Sequence, residues 1–355
     1  MRRSVTIKHV AAEAGVSLQT VSRVINNGPN VRPEVRDRVN AAVEKLGYVP
    51  SLAAQRMGGS RSYLLLALND RDRTIEGWRL GEGTDWVDKM LMGGMLECAE
   101  HGYRMIFELV DTHSSHVERE VGAAIAALHP DGVILTPPHS DNALIIDLLV
   151  QLGLPFARIG SVADGPGFAI TMDDRAAGKA ATDHLLDLGH TRVGFITGSD
   201  EWAISGARLE GYRQALAERG LAVDEALIGR GDFSFASGTA AMEAFCSLEH
   251  RPTALVASND QMGLAALRVA TARGLKVPED LAIVSFDDTP IVKFSNPPLT
   301  AIVQPIAAMT AEAARLLIRA KAGDEDLPPG VVIPFDFVAR RSTQPAGTSD
   351  DTPTG

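Results

Sequence analysis

The chain has 355 residues, 45% of them apolar, and a formal net charge of −11. That size supports a substantial core and two or three globular domains. No run approaches the roughly 18–20 apolar residues of a membrane-spanning helix, and two cysteines, Cys98 and Cys246, are too few for a disulfide framework. The opening MRRSVTIKHVAAEAG lacks a secretory-type apolar core, so a cytoplasmic location with no membrane partner is expected. Charge is unevenly spread: residues 1–61 hold ten Lys/Arg against four Asp/Glu, a net +6, which leaves −17 on the rest. A small basic head on an acidic body suits a head that neutralises phosphates.

In chain order, Thr6 is placed to cap a helix whose inward face is Ile7, Val10, Ala11 and Ala14, and Gly15 permits a sharp turn. Ser17 caps a second helix with Val21, Val24 and Ile25 inward, leaving Leu18, Gln19, Ser22, Arg23 and Asn26 on outward or flanking positions. This is the geometry of a recognition helix in a helix-turn-helix. After the turn-rich NNGPN, a third helix starts near Pro33, carries Val35, Val39, Val43 and Leu46 inward, and stops at Gly47.

The segments TIKHVAAEAGVSLQTVSRVINN and VRPEVRDRVNAAVEKLGYVPSLAAQRM resemble the headpiece of the LacI/GalR family of bacterial repressors. The resemblance implies that Leu18, Gln19 and Arg23 touch base edges of a double-stranded DNA operator, that Thr6, Ser17, Ser22 and Asn26 hold phosphates, and that Thr20 belongs to the same DNA-binding set. It also implies that PSLAAQRM, too short to persist alone as a helix, pairs in a homodimer as a hinge helix and wedges Met57 into the minor groove. Gly58, Gly59 and Ser60 then read as a joint. The headpiece is expected over 1–49 and the hinge and linker over 50–61.

From residue 62, apolar runs alternate with amphipathic stretches: YLLLAL, 86–101, MIFELV, 116–128, GVILT, 141–153 and FARI. The rhythm restarts with FAITM, 174–189, RVGFIT, 205–219, 237–248, TALVAS, 260–273 and LAIVSF. Such alternation predicts parallel sheets wrapped by helices in two similar lobes. Together with this alternation, the family resemblance implies an α-helical helix-turn-helix headpiece joined to an α/β two-lobed periplasmic-binding-protein-like core whose chain crosses between lobes several times. Its effector and dimerisation domain is expected over 62–341: lobe 1 spans roughly 62–160 plus 303–325, and lobe 2 roughly 161–302 plus 326–341. VVIPFDF is expected to complete lobe 2, and 342–355 to be a disordered tail without apolar heptads, which favours a dimer over a tetramer.

A ligand belongs at the carboxyl ends of the strands, where the lobes face each other. The family resemblance continues through LGHTRVGFITG, ARLEGYRQAL, TALVASNDQMGLAALR, LAIVSFDD, PPLTAIVQP and ARRST, and implies polar effector contacts at Arg208, Asn259 and Asp287 with an aromatic ring at Phe233. A guanidinium fork, an amide and a carboxylate together suit a polyhydroxylated ring. Structural alternatives exist for each: an Arg208–Asp287 ion pair, an Asn259 helix cap, core packing of Phe233. Asp173 and Asp174 stand at a strand-to-helix junction and serve either the effector or the cap; Asp173 joins the candidates. The chain departs from the family at 69–92, read as a longer loop lining the effector site, with Trp78, Asp85 and Trp86 as candidate contacts and Trp202 as another.

No dinucleotide-binding G-x-G-x-x-G follows the first strand, and no phosphate-cradling G-x-x-x-x-G-K-S/T, H-E-x-x-H or G-x-S-x-G occurs. No enzyme activity, cofactor or metal is expected. Cys98-x-x-His101 with His113-x-x-His116 has metal-like spacing, but Cys98 reads as a helix-core residue. An exported sugar carrier would share the lobes and have no use for the basic head. The sequence thus predicts a repressor released from its operator by a small carbohydrate; a corepressor-type response to a nucleobase is the alternative.

Overall fold

A computed structural model describes residues 5–25, 28, 30–48, 61–81, 85–161 and 164–344. Asn26, Met57, the expected hinge helix and the tail beyond Gln344 lie outside the described residues. The chain divides into two compact units, Met1–Leu64 with His129–Asp131, and the remainder.

In the first unit, α1 (Ile7–Ala14) ends at Gly15, whose φ of +63° is the left-handed region open to glycine. Ser17 Oγ accepts from the Thr20 amide at 3.2 Å and opens α2 (Leu18–Ile25). Pro33 begins α3 (Pro33–Leu46), which closes at Gly47 with φ +58°. Val10, Ala11, Ala14, Val21, Val24 and Val39 fill the core together with Ala42 and Tyr48, two residues the sequence reading omits. Val35, expected inward, is only half-buried, because α3 presents 39 and 42 rather than 35 and 39 to its neighbours.

The second unit holds two six-stranded sheets. The first contains β1 (Leu64–Asp70), β2 (Arg104–Val110), β3 (Gly132–Leu135), β4 (Phe156–Ile159), β5 (Phe168–Thr171) and β11 (Gly330–Val332), in the order β11-β5-β4-β3-β1-β2. The second contains β6 (Val193–Ile196), β7 (Ile228–Gly229), β8 (Ala254–Ala257), β9 (Ala282–Phe286), β10 (Thr300–Val303) and β12 (Asp336–Val338), in the order β12-β10-β9-β8-β6-β7. Pairing is parallel from β6 through β10, and β12 adds antiparallel to β10. Strands β3, β4, β6, β8 and β9 are buried at every position, which is why they read as apolar runs, broken only by the buried Arg158 in β4 and Ser285 in β9.

Helices follow the strands: α4 (Arg71–Leu80), α5 (Asp85–Glu100), α6 (Val117–Leu128), α7 (Ala143–Gln151), α8 (Asp174–Asp187), α9 (Ala203–Glu218), α10 (Phe235–Cys246), α11 (Asp260–Ala272), α12 (Pro290–Phe294) and α13 (Ile306–Ala322). Helices α8 and α9 pack closely because Gly178 and Gly211 have no side chain: a Cβ on either would sit 2.2 Å or 2.1 Å from a carbonyl oxygen of the facing helix.

Four expectations about the lobes are corrected. FAITM does not start the second lobe; β5 pairs in parallel with β4 and belongs to the first sheet. VVIPFDF is split, with Gly330–Val332 paired to β5 and Asp336–Val338 to β10. The tail does not begin at 342: Ser342 is buried, donating to the Ile283 carbonyl at 2.6 Å and accepting from the Thr300 amide at 2.8 Å. The described residues of 69–92 are mostly helical and not a loop: Asp70 caps α4, accepting from the Arg73 amide at 2.9 Å, and α5 begins at Asp85.

Candidate functional site

The first candidate surface is the outer face of α2. Ser17, Leu18, Gln19 and Arg23 are exposed there, Thr20 and Ser22 are half-buried, and Thr6 is exposed at the start of α1. Leu18 is 44% exposed although apolar, while Val21 and Val24 on the opposite face are buried. An apolar side chain in water beside an amide and a guanidinium has little value for stability, and is what reading base edges requires.

The second candidate lies at the carboxyl ends of the second sheet. Arg208, on α9, is fully buried and donates from Nε to Asp174 Oδ1 at 2.7 Å and from Nη1 to the Ser258 carbonyl at 2.6 Å. Its guanidinium stands 4.4 Å from the ring centre of Phe286, the residue before Asp287. Nη2 is buried with no hydrogen-bond partner among the described residues. A guanidinium held on two sides by fixed acceptors and free on the third is aimed to donate to a ligand.

Asp287 and Asp288 follow β9 with φ of +94° and +51°, left-handed conformations that cost non-glycine residues on the order of 1 kcal/mol or more. Burial raises the Asp287 carboxyl above the ordinary carboxylate range, against the opposing pull of Arg208 and Lys89. Burial and the Asp287 charge likewise raise Asp260, whose carboxylate accepts from Ser285 Oγ at 2.6 Å and from the Thr289 amide and hydroxyl at 2.6 and 2.8 Å. Asn259 caps α11, accepting from the Met262 amide at 2.9 Å, and donates from Nδ2 to the Phe233 carbonyl at 2.9 Å. That bond supports Phe233 at φ +71°.

The Phe233 ring meets Trp202 with centroids 4.8 Å apart and planes at 31°. Gly198 makes room for it, since a Cβ there would lie 2.0 Å from the ring tip. The first sheet's helices reach the same place: Lys89 of α5 donates to the carbonyls of Asp287 and Asp288, both at 2.9 Å. Arg73 of α4 stands 4.7 Å over Trp202 and 5.3 Å over Phe233 and donates to the Asp232 carbonyl.

Arg208, Phe233, Asn259, Asp287 and Trp202 are thus gathered in one region. Arg208's close carboxylate is Asp174, not Asp287. Asp173 is exposed and caps α8, accepting from the Ala176 amide at 2.8 Å, so of the two neighbouring acids it is Asp174 that stands in the cluster. Asp85 and Trp86 are half-buried on the first turn of α5, one turn ahead of Lys89, and Trp78 is exposed on α4. Sequence reasoning missed Arg73, Lys89, Asp260 and Ser258. Only Asp260 carried a signal, as an acid following the Asn259 cap. Cys98 is buried with its thiol pushed up to about 12, and no metal-ligating cluster occurs among the described residues.

A helix-turn-helix with a solvent-facing reading surface, carried on the same chain as a two-sheet body with polar groups converging at its strand ends, defines a DNA-binding regulator with a sensory domain. Residues 6–51 match the profile of "Bacterial regulatory proteins, lacI family", and residues 182–343 that of the periplasmic binding protein-like domain. The chain is 35% identical to the HTH-type transcriptional regulator CelR of Thermobifida fusca, over 96% of this chain and 99% of that protein. It is 31% identical to the HTH-type transcriptional repressor CytR of Escherichia coli K12, over 96% of each. Among solved structures, a CelR–cellobiose complex superposes with a TM-score of 0.72 at 32% identity, covering 95% of this chain and 99% of that one. A Lac repressor dimer bound to operator and the anti-inducer ONPF gives 0.76 at 25% identity, covering 96% and 99%. The chain belongs to the lacI family of bacterial regulatory proteins and is a helix-turn-helix transcriptional regulator.

No helix among the described residues is long and apolar enough to cross a membrane.

Proposed function

We propose that the protein is a cytoplasmic, non-enzymatic repressor. It binds its operator as a homodimer through Thr6, Ser17, Leu18, Gln19, Thr20, Ser22, Arg23, Asn26 and Met57, and releases it when a carbohydrate occupies the cluster around Arg208 and Asp287. The observation that carries the reading is the buried Arg208 guanidinium with its unused Nη2, in the company of Asp287, Asn259 and the Phe233–Trp202 pair. Donor, carboxylate acceptor, amide and aromatic face are what a polyhydroxylated ring uses, with hydroxyls on the polar groups and C–H face on the rings. The similarity to a regulator solved with cellobiose supports the same ligand class. A ligand preferring one angle between the lobes shifts the population of DNA-competent dimers by its difference in affinity for the two states. Asp85, Trp86 and Asp173 are peripheral in this reading.

The test is a thermal-shift screen of mono- and disaccharides followed by gel shifts of an operator selected in vitro. A true effector at 100 times its Kd adds about 2.7 kcal/mol to stability and weakens the operator complex. Asp287→Ala should abolish both responses while leaving operator binding intact. An Asp287→Ala protein that still responds with wild-type affinity refutes the cluster as the effector site.

A further inference from the structure

Helix α4 delivers one charge to the cluster. Arg73 is the residue concerned. Its guanidinium stacks against Trp202 and Phe233 on a half-buried residue, and it donates to the Asp232 carbonyl. It forms no ion pair among the described residues, in contrast to Arg71, two residues earlier, which holds Asp111 at 2.8 Å and Glu120 at 3.4 Å.

The carboxylates near Arg73 are otherwise engaged. Asp70 accepts from the Arg73 amide and the Thr112 hydroxyl, both at 2.9 Å. Asp232 accepts from the Ser234 amide at 2.8 Å. Glu201 pairs with His113 Nε2 at 3.1 Å. Glu76, one turn along α4, makes no ion pair with Arg73. Burial lowers the Arg73 pKa even with these four acids in range, so their charge does not make up for the water it has lost. Lys89, the other cation from the first sheet's helices, is directed to the Asp287 and Asp288 backbone and lies in the field of the Asp287 charge.

Arg73 is therefore, among the described residues, a guanidinium without a directly bonded carboxylate at the aromatic end of the cluster. A neutral ring stacking on Phe233 and Trp202 must displace the guanidinium from its π faces and offers it nothing in return. A ring carrying a carboxylate supplies the planar two-oxygen partner that a guanidinium fork fits. We propose that Arg73 makes this protein selective for acidic saccharides: its effector carries a carboxylate, as a uronic acid does, bound by Arg73 while the hydroxylated face meets Arg208, Asn259 and Asp287. This rests on the reading that the cluster takes a saccharide, and adds the charge of that saccharide.

The experiment measures calorimetric affinities of the full-length protein for matched pairs differing only at C6: D-glucose and D-glucuronate, D-galactose and D-galacturonate, cellobiose and its glucuronosyl-glucose counterpart. The acid of at least one pair should bind tenfold or more tightly than its neutral partner. Arg73→Gln should remove that preference, and Arg73→Lys, which keeps the charge without the fork, should retain part of it. Equal or tighter binding of the neutral member, abolished by Asp287→Ala, overturns the role of Arg73 and leaves the saccharide reading standing. No binding of any of the six sugars overturns both. An acid preference that survives unchanged in a folded Arg73→Gln protein also overturns the assignment.

Discussion

The Arg208–Asp174 pair offers a test of how the ligand cluster is held. Both side chains are almost fully buried, at 1% and 2% exposure, and burial holds the Asp174 carboxyl above its ordinary range even with the guanidinium 2.7 Å away. Desolvation therefore outweighs the attraction, and the pair is not a net source of stability. Removing one partner is different in kind. Asp174→Ala strands a buried guanidinium beside Phe286 and should cost about 3–5 kcal/mol. At about 2–4 °C per kcal/mol for a domain of this order, the melting temperature should fall by about 6–20 °C. The double variant Asp174→Leu, Arg208→Met replaces both charges with apolar groups of similar size and should recover most of that loss, while losing the effector response altogether. Urea unfolding of wild type, the single variant and the double variant supplies the comparison. If the single change costs less than about 1 kcal/mol, or the double is less stable than the single, the account of a desolvated pair kept for binding is wrong.

Three further outcomes are expected. Gly198→Ala puts a methyl where the Phe233 ring tip now lies, so the ring must move; stability should drop by about 1–3 kcal/mol and effector affinity at least tenfold, with gel shifts of effector-free protein unaltered. Gln19→Ala and Arg23→Ala should each weaken the selected operator by about 1–3 kcal/mol and relax its sequence requirement at separate positions, and equal losses on unrelated DNA would show them to be phosphate contacts instead. Burial raises the folded-state titration of Asp287, which it shares with Asp260, above an ordinary 3.8, so its contribution to stability is complete below pH 3.8 and is lost as pH climbs through the raised folded-state range. Urea melts from pH 4.5 to 7.5 should show wild type losing ground to Asp287→Asn over that window; parallel curves would mean that the carboxyl is not buried as described.

What could be read from the sequence follows from what is local. The head was legible because caps, turn glycines and apolar spacing all lie within a few residues of one another, and Tyr48 escaped notice only because it packs from beyond the end of α3. The strands were legible as apolar runs because both of their faces are covered. Their assignment to sheets was not: FAITM looks the same whichever sheet it joins, and nothing within its own residues marks the pairing with β4. Within the cluster, Arg208, Asn259 and Asp287 came from family resemblance, whereas Arg73 meets Asp232 across 159 residues and Lys89 reaches carbonyls 198 and 199 residues away. Nor does spacing tell Asp173 from Asp174; one caps a helix in water and the other faces Arg208, a difference of one residue in rotation about α8.

The last strands place a constraint on how this body can be cut or recombined. Within a dozen residues the chain lays an edge strand on the first sheet, Gly330–Val332, then crosses to lay one on the second, Asp336–Val338, before Ser342 fastens itself to β9 and β10. A truncation upstream of 330 strips both halves at once, and no single cut after β5 separates one intact half from the other. Exchanging halves with a relative therefore requires several matched junctions, and proteases or late stop codons should remove this region as a whole rather than leave a working half behind.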